Sequence, residues 1–151
     1  MANKLEKWDL HWLQVAKTIS LASQDPSTKI GAVIVDAKNR LVSTGYNGFP
    51  RGVADSPERY DNRELKYRMV VHAETNAILF SQRNLSSCVL YVNPGLPCAR
   101  CATNIIQVGI KRIVCQQPDE AFMERWKDEM EVASMMYKDA GTNLVVYGVK
   151  G

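Results

Sequence analysis

Three short apolar runs in the second half of the chain, separated by helical patterns, constrain the fold most. Cys88–Val92, Lys111–Cys115 and Asn143–Tyr147 each read as a strand. Between the first two, Ala102, Ile105 and Ile106 place a helix at about 98–108. Between the second two, Phe122, Trp126, Met130, Ala133 and Tyr137 fall on one helix face, and Gly141 stops that helix. A strand that returns to its sheet through a helix lies parallel to its predecessor.

The first half adds a hairpin. Ile30–Val35 is a nearly continuous, β-branched apolar run and reads as a buried strand. DAKNR turns the chain into a second strand, Leu41–Tyr46, and so short a connection favours antiparallel pairing. Trp8, Trp12, Val15, Ala16 and Ile19 predict a helix from about 5 to 23, which SQDPSTK breaks. Ala73, Ala77 and Phe80 predict one face of a helix over 72–83. The order α-β-β-α-β-α-β-α-β predicts an α/β fold, a mixed five-stranded sheet with helices on both faces in a three-layer α-β-α sandwich. GYNGFPRGVADSPE, from Gly45 to Glu58, carries too many turn formers for regular structure and reads as a loop. An irregular segment of this length in a compact domain is more often functional than not.

The 151 residues predict a single domain over 1–151. Hydrophobic residues make up 46% and charged residues 23%, which argues against disorder. No apolar run approaches the roughly 18 residues of a membrane span, and the start has no apolar signal core. The expectation is a cytoplasmic protein that contacts no membrane. A net charge of +3 is too small to argue for nucleic acid, and is compatible with an anionic small ligand.

The chemistry concentrates in two pieces, His72-Ala73-Glu74 and Pro97-Cys98-Ala99-Arg100-Cys101, each opening a predicted helix. Pro97 suits a helix start. Cys98 and Cys101 are three residues apart on one helix face, and the N–H groups of a first turn stabilise thiolates. With His72 they offer zinc three ligands and an open fourth position for water. Glu74, about 200° around the helix from His72, is poorly placed to ligate beside it and well placed to shuttle protons. A redox pair or a structural zinc half-site would also use a Cys-x-x-Cys. The strand-plus-tryptophan context of a redox motif is absent, and structural zinc wants a fourth Cys or His. Cys88 and Cys115 fall inside predicted strands and read as small buried hydrophobes. His11, between aromatic residues, reads as a packing or surface histidine.

H-A-E followed by P-C-x-x-C resembles the signature of the zinc-dependent nucleobase deaminases. The order of elements is similar to the cytidine-deaminase-like fold. DPSTKIGAVIVD, VSTGYNGFPRG, KYRMVVHAETNAI and PCARCATNIIQVGIKRIV resemble deoxycytidylate (dCMP) deaminases in particular. The resemblance implies hydrolysis of dCMP to dUMP and ammonia, with dUMP supplied for thymidylate synthesis. It implies one zinc per chain on His72, Cys98 and Cys101, with Glu74 as general acid and base. Asn47 then resembles the residue that meets the sugar 3′-hydroxyl, and Lys29 a basic residue near the 5′-phosphate. The GYNGFPRG segment resembles a site for a regulatory triphosphate held with magnesium, dCTP activating and dTTP inhibiting. Gly45, Tyr46, Gly48, Phe49, Arg51 and Asp55 are its candidate residues, and the family implies a homohexamer. The chain departs from some relatives in lacking histidines for a second zinc between His11 and His72. It also has CQQPDEAF where some carry a phosphate-closing tyrosine. A deaminase of tRNA adenosine or of a free nucleoside, a dCTP deaminase, and an inactive zinc-stabilised regulatory module remain alternatives.

Overall fold

A computed structural model describes residues 6–148. Its strands are β1 (Gly31–Val35), β2 (Leu41–Tyr46), β3 (Val89–Asn93), β4 (Arg112–Gln116) and β5 (Asn143–Tyr147). They form one sheet in the order β2-β1-β3-β4-β5. β1 pairs antiparallel with both β2 and β3, whereas β3–β4 and β4–β5 are parallel. The helices are α1 (Asp9–Ser20), α2 (Pro57–Asp61), α3 (Arg63–Met69), α4 (Ala73–Ser81), α5 (Ala99–Gln107), α6 (Glu120–Arg125) and α7 (Lys127–Ala140).

Strand alternation sends the sheet's apolar side chains into two layers. Val33, Val35, Tyr91, Val114 and Val145 pack with Trp12, Leu13 and Ala16 of α1 on one face. Ala32, Ile34, Leu90, Val92, Ile113 and Cys115 pack on the other with residues of α4, α5 and α7. Both faces of β1 are covered, so all five of its residues are buried. This is the three-layer, mixed five-stranded sandwich expected from the alternation. Among the described residues no helix is long and apolar enough to cross a membrane.

Several local expectations are corrected. The first helix spans Asp9–Ser20 rather than 5–23, and Leu5 lies outside the described residues. Trp8 stands at its N-cap and is exposed. The tail of the expected loop is helical. Ser56 caps α2 by accepting from the Arg59 N–H, with Pro57 at the first turn, and Asn62 caps α3 by accepting from the Leu65 N–H. The long C-terminal helix is broken at Trp126 into α6 and α7. Phe80 is exposed, and α4 buries Ala73, Glu74 and Ala77 instead. The cause is close approach. A Cβ on Gly45 of β2 would lie 2.5 Å from the Ala73 carbonyl oxygen and 2.5 Å from the Ala77 nitrogen. Only small side chains fit between α4 and β2.

A buried ionic knot ties α1 to the sheet. Asp9 accepts from Arg112 Nη1 at 2.9 Å and Nη2 at 2.7 Å, from the Tyr91 hydroxyl at 2.8 Å and from the Glu6 N–H at 2.6 Å. Burial pushes its carboxyl up, but the Arg112 guanidinium and the other donors outweigh it and hold it below the usual carboxylate range. Asp9→Asn leaves Arg112 without its buried counter-charge and is expected to cost about 3 kcal/mol. A depressed carboxyl pKa stabilises fully above the unfolded value, about 3.9, and that contribution is lost as pH falls through the folded value. Thermal melts of wild type and variant should therefore differ at pH 7, and the gap should begin to narrow only as pH falls below about 4. An equal gap at both pH values would remove the ion pair as its cause.

Candidate metal centre and active site

The topology brings two helix starts to one edge. β2 and β3 are each antiparallel to β1, so they point the same way and end at the same edge of the sheet. β4 and β5 run parallel to β3 and end there too. Ligands of open α/β sheets bind at the carboxyl ends of the strands. The chain leaves β3 through Pro94–Pro97 and enters α5 at Cys98, its N-cap. Near the end of β2, Gly48 and Val71 bond through both of their backbone groups, at 3.1 and 2.7 Å. That bridge sets His72, the N-cap of α4, against the start of α5.

The three predicted ligands meet. His72 Nδ1 lies 3.2 Å from Cys101 Sγ and 3.5 Å from Cys98 Sγ. All three donor atoms lie within 4.8 Å of one another. Tetrahedral zinc at ordinary bond lengths separates a nitrogen and a sulfur ligand by about 3.5 Å, so the donor set fits zinc in kind and in spacing. His72 has an extended backbone, so its direction is set by the Val71–His72 segment and not by a helical angle to Glu74. The Cys98 sulfur also accepts from the Cys101 N–H at 3.5 Å. Hydrogen bonds from the Cys101 thiol and His72 pull the Cys98 thiol down to about 4 against the effect of burial. The Cys101 thiol is pushed up by that same bond to Cys98 and by burial. A cation binding here displaces the shared proton.

Glu74 is 4% exposed, and burial pushes its carboxyl up from the usual range. Its carboxyl feels the charges of His72 and Cys98, and a carboxyl of raised pKa in such a place can serve as an acid–base group. Cys88 and Cys115 are buried and do not belong to this donor set, and His11 is exposed with its ring edge-on to Trp8 and Trp12.

Asn47 and Lys29 both lie at the same edge, because Gly31 of β1 pairs with Tyr46 and Asn93. The Lys29 ammonium donates to the Ser23 carbonyl, and the side chain is otherwise exposed. Asn47 is 5% exposed. The triphosphate candidates form an ordered turn. Phe49 stacks on Tyr60 with centroids 4.2 Å apart, the Tyr60 hydroxyl donates to Asp55 at 2.9 Å, and Arg51 lies over the Phe80 ring at 5.6 Å. Gly52, at φ 84°, turns the chain after Arg51. Gly45 is buried under α4, Gly48 bridges to Val71, and Tyr46 is exposed.

Two supporting residues carried no sequence signal. Glu129 of α7 accepts from the Ala99 N–H at 2.9 Å and so caps the helix that carries both cysteines. Thr75 Oγ1 lies 3.7 Å from Cys101 Sγ. A cavity of about 430 Å³ lies under α7 against Leu96, Pro97 and Tyr137, but none of His72, Glu74, Cys98 and Cys101 lines it.

Residues 6–117 match the family model of the cytidine and deoxycytidylate deaminase zinc-binding region. An uncharacterized deaminase encoded in the luxG 3′ region of Aliivibrio fischeri is 43% identical over 140 residues, 93% of each chain. The deoxycytidylate deaminase of Mus musculus is 36% identical over 143 residues, 89% of this chain and 76% of that one. The dCMP deaminase of cyanophage S-TIM5, solved in complex with dCMP and dUMP, superposes with a TM-score of 0.72 at 20% identity. That match covers 95% of this chain and 99% of that chain, and it shows the shared fold.

Proposed function

Because the chain belongs to the cytidine and deoxycytidylate deaminase family, we propose that it hydrolyses dCMP to dUMP and ammonia. The observation that carries this reading is the His72–Cys98–Cys101 donor set with the buried carboxyl of Glu74 two residues from His72. The names of the mammalian relative and of the phage neighbour support dCMP as the substrate.

His72, Cys98 and Cys101 would hold zinc, which when bound would supply a Lewis acid that brings the pKa of water into the neutral range. Glu74 takes a proton from the attacking water, gives it to N3 of the cytosine, and carries the second proton to the leaving amine. A C4–O bond forms, the C4–N bond breaks, and ammonia departs. Burial favours the protonated form of Glu74, which suits a group that must give its proton back. Asn47 receives the sugar hydroxyl, and Lys29 moves from the Ser23 carbonyl to the 5′-phosphate. Ammonia release from dCMP, dCTP, deoxycytidine and a tRNA anticodon hairpin, compared side by side, tests the assignment. Fastest turnover of dCMP is expected, and preference for any of the others would replace it.

The turn that carries Arg51 supports a regulatory reading of the same enzyme. A triphosphate with Mg2+ binds among Tyr46, Gly48, Phe49, Arg51 and Asp55 and biases two arrangements of a homohexamer, while Gly45, buried under α4, makes no contact with it. The backbone N–H groups of the turn and one guanidinium suit a polyphosphate. At sub-saturating dCMP, activity should rise with dCTP and Mg2+ and fall with dTTP and Mg2+. Arg51→Ala should blunt both responses with zinc content unchanged. Indifference of the wild type to both triphosphates at millimolar concentration would remove this site.

A further inference from the structure

An ion pair with a buried carboxylate and a partly exposed ammonium stands directly behind Asn47. Asp25 is 1% exposed, and its Oδ2 accepts from Lys66 Nζ of α3 at 2.8 Å. Its Oδ1 accepts from the Ser27 N–H at 2.9 Å, the Ser27 hydroxyl at 3.1 Å and the Thr28 N–H at 3.2 Å. Lys66 Nζ also donates to the Ser27 hydroxyl at 3.1 Å. The turn built this way holds the Asn47 carboxamide. Asn47 Nδ2 donates to the Thr28 carbonyl at 2.8 Å and faces Asp25 Oδ2 at 3.5 Å, while its Oδ1 accepts from the Ile30 N–H at 2.9 Å. The Ser23 hydroxyl fastens the Asn47 backbone carbonyl at 2.7 Å. Asn47 in turn precedes Gly48, which is bonded to Val71 beside the ligand His72.

This arrangement is poorly explained by stability alone. No residue of α3 is buried, so the ion pair does not seat a packed helix. Desolvating a carboxylate and an ammonium is costly, and a buried pair is weak evidence for stabilisation. What the pair does achieve is orientation. The Asn47 amide is held from both ends, and a carbonyl oxygen with one bond still has a lone pair to offer an incoming hydroxyl.

We infer that Lys66 and Asp25 are positioning residues that hold the Asn47 carboxamide in the attitude needed to receive the nucleotide. The inference rests on the proposed dCMP reading for its substrate, and on this chain's own contacts for its geometry. Lys66→Met leaves Asp25 without its counter-charge, held only by Ser27, Thr28 and Asn47 donors, which loosens the 23–30 turn and the frame around Asn47. A contact to a sugar hydroxyl is made alike before and during the reaction, so weakening it raises KM with little change in kcat.

The test is a kinetic and spectroscopic comparison of the zinc-loaded full chain. Lys66→Met should raise the KM for dCMP about tenfold or more, with kcat within about threefold of wild type and one zinc retained. Lys66→Arg, which keeps the charge, should restore the KM. Asp25→Asn combined with Lys66→Met removes both charges and should recover part of the loss, because residues in one network are not additive. In protein labelled with 15N-asparagine, the Asn47 side-chain amide should be slow to exchange in wild type and Lys66→Arg, and fast in Lys66→Met. An unchanged KM, an unchanged Asn47 amide, or a loss confined to kcat would each overturn the inference. If the wild type releases no ammonia from dCMP, the functional reading fails and the Asn47 amide alone decides the positioning role.

Discussion

Glu74→Gln is expected to abolish turnover by at least about 100-fold while leaving zinc bound and the fold intact. The amide matches the carboxyl in size and cannot carry protons between a water and the cytosine ring. The usual confounding effect is loss of a buried interaction. Burial already disfavours the ionised form of Glu74, so losing the charge is not itself a loss of stability, and the melt reports any cost of burying the amide. Ammonia release, zinc content and a thermal melt on one preparation separate the three effects. Activity near wild type would mean that another group moves the protons, and the acid–base role of Glu74 would be lost.

Cys98→Ala and Cys101→Ala are expected to lose metal and activity together. Each leaves two protein donors where zinc needs at least three. Changes in groups that merely support metal ligands cost about 10–100-fold in affinity, so loss of a ligand should exceed ~100-fold. Cys98 has a second role, because its sulfur caps α5 by accepting the Cys101 N–H. Losing a cap costs about 1 kcal/mol, a modest destabilisation that leaves most of the fold in place. Cys98→Ser retains a capping atom and isolates the metal effect. One tightly bound zinc per chain in either alanine variant would refute the donor set.

What was legible from the residues was local. Two helix-opening segments, three-residue cysteine spacing and strands separated by helical patterns are short-range features, and they foretold the mixed sheet and the cluster of His72, Cys98 and Cys101. The caps at Ser56 and Asn62 were also written in local sequence, but the density of Gly, Pro and Asp around them masked two short helices. Side-chain size misled on α4. Ala73 and Ala77 face the sheet because Gly45 lets the backbones almost touch, and the bulkier Leu79 and Phe80 are turned to the exterior. A pattern of large apolar residues cannot reveal a face that only small ones fit. The supporting contacts are of another kind altogether. Lys66 reaches Ser27 across 39 residues of sequence, and Glu129 reaches Ala99 across 30. No local periodicity encodes such pairs, because their members meet only where the 23–30 turn, α3 and α7 are laid against the same edge of the folded sheet.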